Sequence, residues 1–415
     1  MRAKYGSCAG DRTDVTNNTK EEAMRSLIYK LLLASLLITA SHATLATIDD
    51  NAAQVALRVS CTENGTTMDN CFESIPALTS WMSVIRKPSA SAPLDVQVGP
   101  GTFGRLPVTC NPANGYTGHI AFNGAGPRQT VFSFTAGGQP PYGIVEVRNC
   151  TKMAFSNLKI EAKPIVFAYG YIVWHGGGTS HWNNVVAEVS ARGWQEQDCA
   201  ATPGSHYWFN SRIISRPVSN IGKTYEATCD NTWFFGSEIV FNTDRPGTIG
   251  SDGGVNGTTY QTLIANNDRE IHVYGSNIRA LSENGGVNGT GTLIAATANS
   301  GSQIHIHGTG IDLITNDNKN IVALSATSGG MIHANESAYV MKTAGGTATR
   351  ISNNGGSIQA PYLWQEGATP PNVTSANGSD MAVITSTSDG QPHLTISSTS
   401  CASGWYDTAA NQCVP

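Results

Sequence analysis

The sequence predicts an all-β solenoid, a right-handed parallel β-helix with an N-terminal amphipathic capping helix. Three observations carry this. Glycine fills 44 of 415 positions, about 11% against a usual value of roughly 7%, which favours turn-rich β structure. Alternating apolar and polar residues begin at Asp95-Val96-Gln97-Val98 and continue to the C-terminal region. A five-residue template then recurs along the chain, as short strands that cannot bury a face alone must stack on copies of themselves.

The template copies are Ala154 to Leu158, His181 to Val185, Phe209 to Ile213, Phe235 to Ile239, Tyr274 to Ile278 and His307 to Ile311, with a weaker copy at Asn335 to Tyr339. Their last residues lie 27, 28, 26, 39, 33 and 28 positions apart, so a turn takes 26 to 28 residues with two longer excursions. One column reads Ser156, Asn183, Ser211, Ser237, Ser276, Thr309, Ser337, and the end column reads Leu158, Val185, Ile213, Ile239, Ile278, Ile311, Tyr339. Like residues in register are what stacked parallel strands require. The excursions contain Gly253 to Thr258 and its copy Gly285 to Thr290, predicted as loops leaving one edge of adjacent turns.

Upstream, the apolar run Leu31 to Ile38 follows Arg25 and Lys30 and precedes Ser41-His42-Ala43, the three parts of a secretory signal. The predicted organisation is a non-structural leader 1–23, a signal peptide 24–46 cleaved after Ala43 or Ala46, a cap 47–93, the β-helix 94–365, a β extension 366–400 and a disulfide-closed tail 401–415. The apolar run is too short to span a membrane, and localisation is expected to be secreted, cell-surface or periplasmic. Met68, Cys71, Phe72, Ile75, Leu78, Met82 and Ile85 have helical spacing. Pro76 places the helix start near Ser74, and Lys87-Pro88-Ser89 ends it; the helix is expected to cover an otherwise open sheet edge.

Outside the leader, which holds Cys8, eight cysteines remain: Cys61, Cys71, Cys110, Cys150, Cys199, Cys229, Cys401 and Cys413. An even count in an exported chain favours disulfides, and sequential pairing is the preferred arrangement among the 105 that eight cysteines allow. Only 13% of residues are charged and the net charge is −5, which excludes a nucleic-acid binder held by a basic patch. A hydrophobic share of 40% excludes wholesale disorder. Oligomeric state is not readable.

Val96 to Phe103, Gly124-Ala125-Gly126 followed by Thr130-Val131, Asn149-Cys150 and Phe155-Ser156-Asn157-Leu158 together resemble the opening of the pectate-lyase-like (pectin-lyase-fold) superfamily. The resemblance, with the turns, covers roughly residues 50 to 365 and implies the fold. It leaves the reaction open, because that superfamily includes lyases, glycoside hydrolases, esterases, phage tailspikes and non-catalytic surface proteins. Asn242-Thr243-Asp244 matches one polygalacturonase motif, but the sole Asp-Asp is Asp49-Asp50 and there is no Gly-His-Gly, so the tripeptide is read as coincidence. No local acid cluster supports calcium. Asp198, Asp230, Asp244 and Arg245 are either convergent from neighbouring turns or scattered surface charge.

Alternation places Ile271, Val273, Ile304, Ile306 and Ile332 inward. Tyr207 and Phe209, Trp233 and Phe235, His272 and Tyr274, His305 and His307, and His333 and Asn335 then face outward as one aromatic and imidazole stripe. Such a stripe suits sugar rings, making Tyr207, Phe209, Trp233, Phe235 and Tyr274 candidate contacts for a polysaccharide or cell-surface glycan; the alternative is burial beneath a loop. His272, His305, His307 and His333 are a candidate transition-metal set, with stacked ladder histidines as the bland alternative. Trp174-His175-Gly176-Gly177-Gly178 is a candidate ligand-contacting loop, which Trp194 and His206 would join, or a turn that needs glycine. Asn157, Asn184, Arg212, Glu238 and Asn277 are expected on successive turns, with Arg212 over Glu238. Asn64, Asn256 and Asn288 are glycosylation acceptors only in a host that glycosylates.

The leading functional expectation is an exported β-helix that engages a polysaccharide, as a lyase or hydrolase if catalytic. Its rivals are a non-catalytic surface or matrix structural or adhesion protein, and a metalloprotein using the histidine column.

Overall fold

A computed structural model describes residues 47–134, 143–162, 172–189, 193–216, 222–242, 258–282, 291–315, 318–335, 337–343 and 345–360, and beyond them the backbone of six short strands. The leader, the signal segment, the Cys401–Cys413 pairing, Asp244, Arg245, Asn256, Asn288 and the interiors of the two glycine-rich excursions lie outside the described residues. The chain divides into two units. In the smaller, Thr62–Glu63 and Thr66–Thr67 form an antiparallel hairpin whose turn residues Asn64 and Gly65 both have positive φ, as a two-residue hairpin demands. All that follows concerns the larger unit.

The larger unit is an all-β stack of parallel strands. Each turn contributes three strands, illustrated by Ser205–Phe209, Arg212–Ser215 and Lys223–Ala227, and each strand pairs in parallel with its counterparts in neighbouring turns. The first two faces merge into a 24-stranded sheet, because Lys152–Ala162 and Thr179–Val189 run through the corner between them, and the third face is a 10-stranded sheet. The strands flanking both excursions show that each joins the second face to the third.

The corner between the first two faces explains the template. The residue before the hydroxyl is left-handed at Asn210 (φ 47°), Gly236 (56°), Gly275 (54°) and Gly308 (55°), and Asn184 (53°) takes the same conformation at the corner of its own turn. Asn and Gly tolerate that conformation. The next residue points inward and is buried at Ser211, Ser237, Ser276, Thr309 and Ser337. Each of these hydroxyls donates to the carbonyl two residues before it, as Ser211 does to Phe209 at 2.8 Å and Ser276 to Tyr274 at 2.9 Å. The Oγ atoms of Ser237 and Ser276 also accept the amide N–H of Ser211 and of Ser237, at 3.2 and 3.0 Å. The hydroxyl ladder thus satisfies amides that the corner removes from sheet pairing.

One register differs from the template. Between the second and third copies, Asn183 pairs with Phe209 and Ala187 with Ile213, two residues from the expected match, so Asn184 lies at the Asn210 corner rather than beside Arg212. The left-handed residues fix the alignment, and Asn184 has no serine after it to reveal this. The later copies keep the expected column, with Ile213, Ile239, Ile278, Ile311 and Tyr339 in register and buried. Arg212 stands over Glu238 with Nε–Oε2 at 2.5 Å, and Arg279 links Glu238 and Asp312 at 3.1 Å each, a half-exposed ladder of alternating charge worth little per pair.

Inside, Phe122, Phe155, Trp182, Trp208 and Phe234 stack with centroids 5.5, 4.1, 4.7 and 6.3 Å apart. A helix covers Ile75–Trp81, with the Ser74 hydroxyl accepting from the Ala77 amide, and widens into a π-type turn over Met82–Arg86 that ends at left-handed Lys87. It buries Ile75, Leu78, Trp81 and Met82. Disulfides join Cys61 to Cys71, Cys110 to Cys150 and Cys199 to Cys229, sequential neighbours in each case. Such bonds persist in oxidising compartments. Among the described residues no helix is long and apolar enough to cross a membrane.

Ser237→Ala leaves the buried Ser211 amide without its acceptor. We expect a loss of about 1–3 kcal/mol in urea unfolding, and near wild-type stability for Ser237→Thr, because threonine occupies the same column at Thr309. Equal stability of Ser237→Ala and the parent would show that the ladder contributes nothing.

Candidate functional site

The outer surface of the first face carries two columns of rings. On one, His181, Tyr207, Trp233, His272, His305 and His333 come into register one per turn. Their successive centroids are 5.0, 4.9, 5.3, 4.6 and 5.1 Å apart, with interplanar angles of 3 to 16°. On the other, Phe209, Phe235, Tyr274 and His307 stack at 5.1, 5.3 and 5.1 Å. All ten side chains are half-buried, while Ile271, Val273, Ile304, Ile306 and Ile332 between them are wholly buried. The strand period of two therefore sorted rings outward and aliphatics inward.

Stacking changes what the stripe can do. Neighbouring rings lie nearly parallel about 5 Å apart, so their flat faces are covered by each other and their edges meet the surroundings. A sugar ring packs against an aromatic face, and the faces inside the columns are already used. The same geometry corrects the metal expectation for His272, His305, His307 and His333. Imidazole lone pairs lie in the ring plane, so stacked rings hold them in parallel planes about 5 Å apart, whereas the ligands of one ion must converge on a point. His307 belongs to the second column, on Tyr274.

Ring-on-ring stacking stops where the columns end. Below His181 the first column continues as Ala154, Ala121 and Asp95, so two rungs hold only methyl groups. There a groove of about 370 Å³ opens, lined by Asp95, His119, Ala121, Asn123, Lys152 and Ala154. The Asp95 carboxylate accepts from Asn123 Nδ2 at 2.5 Å and Gln97 Nε2 at 3.0 Å, and Ser156 donates to Asn123 Oδ1 at 2.6 Å. Burial and then the Lys152 ammonium hold both His119 and His181 below the ordinary imidazole pKa. The groove thus pairs an apolar floor with a cation, neutral imidazoles and a carboxylate.

Trp174 and His175 occupy the end of strand Ile172–His175, which corrects their expected place in a flexible loop. Trp174 points into the core, fully buried. His175 points outward but is only 3% exposed, with Nδ1 2.8 Å from Asp198 Oδ2 and Nε2 3.5 Å from Glu146 Oε1. The glycines that follow are structural: a Cβ on Gly178 would lie 2.2 Å from the Cys150 carbonyl oxygen. Trp194 and His206 do not join an outer loop either, since both are buried in the core. Asp198 is outside and Asp230 inside, so those two acids do not converge. The tripeptide at Asn242 extends outside the described residues.

Sequence reasoning missed the groove, whose signal was the pair of alanines replacing rings in an otherwise aromatic column. It also missed Ser180 and Glu196, which with His206 and Asp230 form a polar cluster in the core. Their inward position on alternating strands was the available signal. The chain matches no protein-family profile, no curated protein and no solved structure.

Burial, followed by the neighbouring imidazoles His272 and His333, pushes the His305 pKa from 6.5 down to about 4. Between those values the unfolded chain binds a proton that the folded chain does not, so this contribution to stability is present above pH 6.5 and is lost as pH falls toward 4. His305→Phe keeps a stacking ring without titrating. Its melting temperature is expected to fall less than that of the parent over this window; identical slopes would refute the coupling.

Proposed function

We propose that this chain is an exported right-handed parallel β-helix that binds a polysaccharide or cell-surface glycan on its first face, and that the contact centres on the end of the ring column at His181. The carrying observation is the groove in which the aromatic register gives way to Ala154 and Ala121. A sugar ring placed there stacks on the free face of His181 and continues the ladder, while Lys152, Asn123 and Asp95 supply hydrogen-bond partners for its substituents. The ring edges of Tyr207, Trp233 and Tyr274 extend the contact surface along the face. Three disulfides support the exported location. The right-handed winding follows the strong preference of parallel crossovers, and the helix Ile75–Trp81 closes the N-terminal end.

The self-stacking of the rings favours a second reading. In it the columns stiffen a rod whose rigidity is the function and which takes no ligand.

Glycan-array binding distinguishes the two. We expect His181→Ala to weaken binding about fivefold, matching the roughly 1 kcal/mol of a ring contact, Lys152→Ala to weaken it as well through loss of a hydrogen-bond donor, and Trp233→Ala and Tyr274→Ala to cause smaller losses. Absence of binding by the folded parent to any glycan, with circular dichroism intact, would leave the rod.

A further inference from the structure

The core holds an arrangement that glycan binding does not use. His206 faces inward from strand Ser205–Phe209, in a column otherwise filled by Ser180, Thr232, Ile271 and Ile304. Glu196 faces inward from Trp194–Gln197 on the third face, and Asp230 comes from the corner leading back to the first. All three side chains are wholly or almost wholly inaccessible, at 0%, 0% and 1% exposure. Trp174 and Trp194 meet the His206 ring edge-on at 5.0 and 4.7 Å, so the surroundings are largely aromatic.

Two buried carboxylates beside one imidazole are short of positive charge. Burial removes all three groups from solvent, so whatever balances the two acids must come from within the cluster. A divalent cation with neutral imidazole balances the set. The distances suit one: His206 Nε2 lies 3.0 Å from Asp230 Oδ2 and 3.6 Å from Glu196 Oε1, and the three donors are all within 4.8 Å of one another. Two ligands of a tetrahedral zinc ion, each about 2.0–2.1 Å from the metal, are separated by about 3.3 Å.

The supporting contacts also suit one. Glu196 Oε2 accepts the amides of Thr228, Cys229 and Asp230 at 2.7, 2.6 and 3.1 Å, and Asp230 Oδ1 accepts the Gly204 amide at 2.5 Å. These bonds hold the carboxylates with their other oxygens, Oε1 and Oδ2, toward His206. Oε1 also accepts from the Trp194 indole at 3.0 Å. On the far side of the ring, Nδ1 is 2.7 Å from Ser180 Oγ, which also accepts the Trp182 indole N–H at 2.7 Å. A hydroxyl oxygen accepts two bonds, so Ser180 Oγ can accept the Nδ1–H as well and fix the tautomer that leaves Nε2 free to ligate.

We propose that Glu196, His206 and Asp230 bind a divalent first-row transition ion, zinc-like in its chemistry, inside the β stack. The role is structural. The three side chains fill three of the four positions of a tetrahedral ion, and the ion ties the third face to the first beside the Cys199–Cys229 disulfide.

The test uses the full chain, exported with zinc in the medium and purified without chelator. Elemental analysis is expected to give about one zinc per chain, and unfolding and refolding with cobalt to give visible d–d absorption. Glu196→Gln and His206→Gln are each expected to lower metal retention at least about tenfold, whereas His305→Gln in the outer column leaves it unchanged. A wild-type chain that refolds in chelator to the same melting temperature and carries no metal overturns the proposal, and so does unchanged metal in both core variants. The wild-type comparison stands even where a core variant does not fold.

Discussion

The stacking of one turn on the next is the constraint from which the other features follow. Parallel pairing obliges each strand to bond with the turns on either side, and it brings residues some 26 to 39 positions apart within a strand spacing of each other. Every side chain therefore has a counterpart directly above and below it. Columns of like residues serve this geometry: serine hydroxyls relay bonds along a corner, aliphatics fill the interior and opposite charges alternate on the second face. A left-handed Asn or Gly at the corners from Asn157 to Gly308 is what allows the strand to turn without losing register.

The same stacking limits what the outer rings can offer. A ring matched by a ring above and below has its faces occupied, and only its edge remains. Room opens where the column is interrupted, at Ala154 and Ala121, because those two rungs carry only methyl groups. The histidines of the upper turns fit this account as stacking residues. Burial and mutual proximity keep His305 neutral over most of the pH range, which suits a close stack of imidazoles.

The interior of the first face departs from the apolar pattern around His206. Most inward positions of the first face are apolar, yet Ser180, His206 and Thr232 follow one another in a single column. Four tryptophans, Trp174, Trp182, Trp194 and Trp208, surround that region, and indole N–H groups from Trp182 and Trp194 bond to the polar set. Large aromatic side chains with one polar handle can enclose charge while still filling a core.

Much of the architecture was legible in the residues. Phe-Gly-Ser, Tyr-Gly-Ser and His-Gly-Thr announced the corners, alternation sorted Ile304 and Ile306 from His305 and His307, and the spacing of Arg212 and Glu238 placed an ion pair. These are local patterns repeated in place, so a linear reading recovers them. The register at Asn184 was not recoverable, since its turn lacks the serine that marks the others. Nor were the direction of Trp174, the meeting of Glu196 with His206 and Asp230, or the orientation of the stacked rings. Each depends on which corner a strand leaves and how neighbouring side chains rotate against one another. The sequence by itself determined the period and the inward or outward sense of the repeating columns, because backbone geometry alone enforces both. Only the tertiary structure decided which groups meet across the interior and which ring faces stay open, because those outcomes depend on packing between turns and between faces.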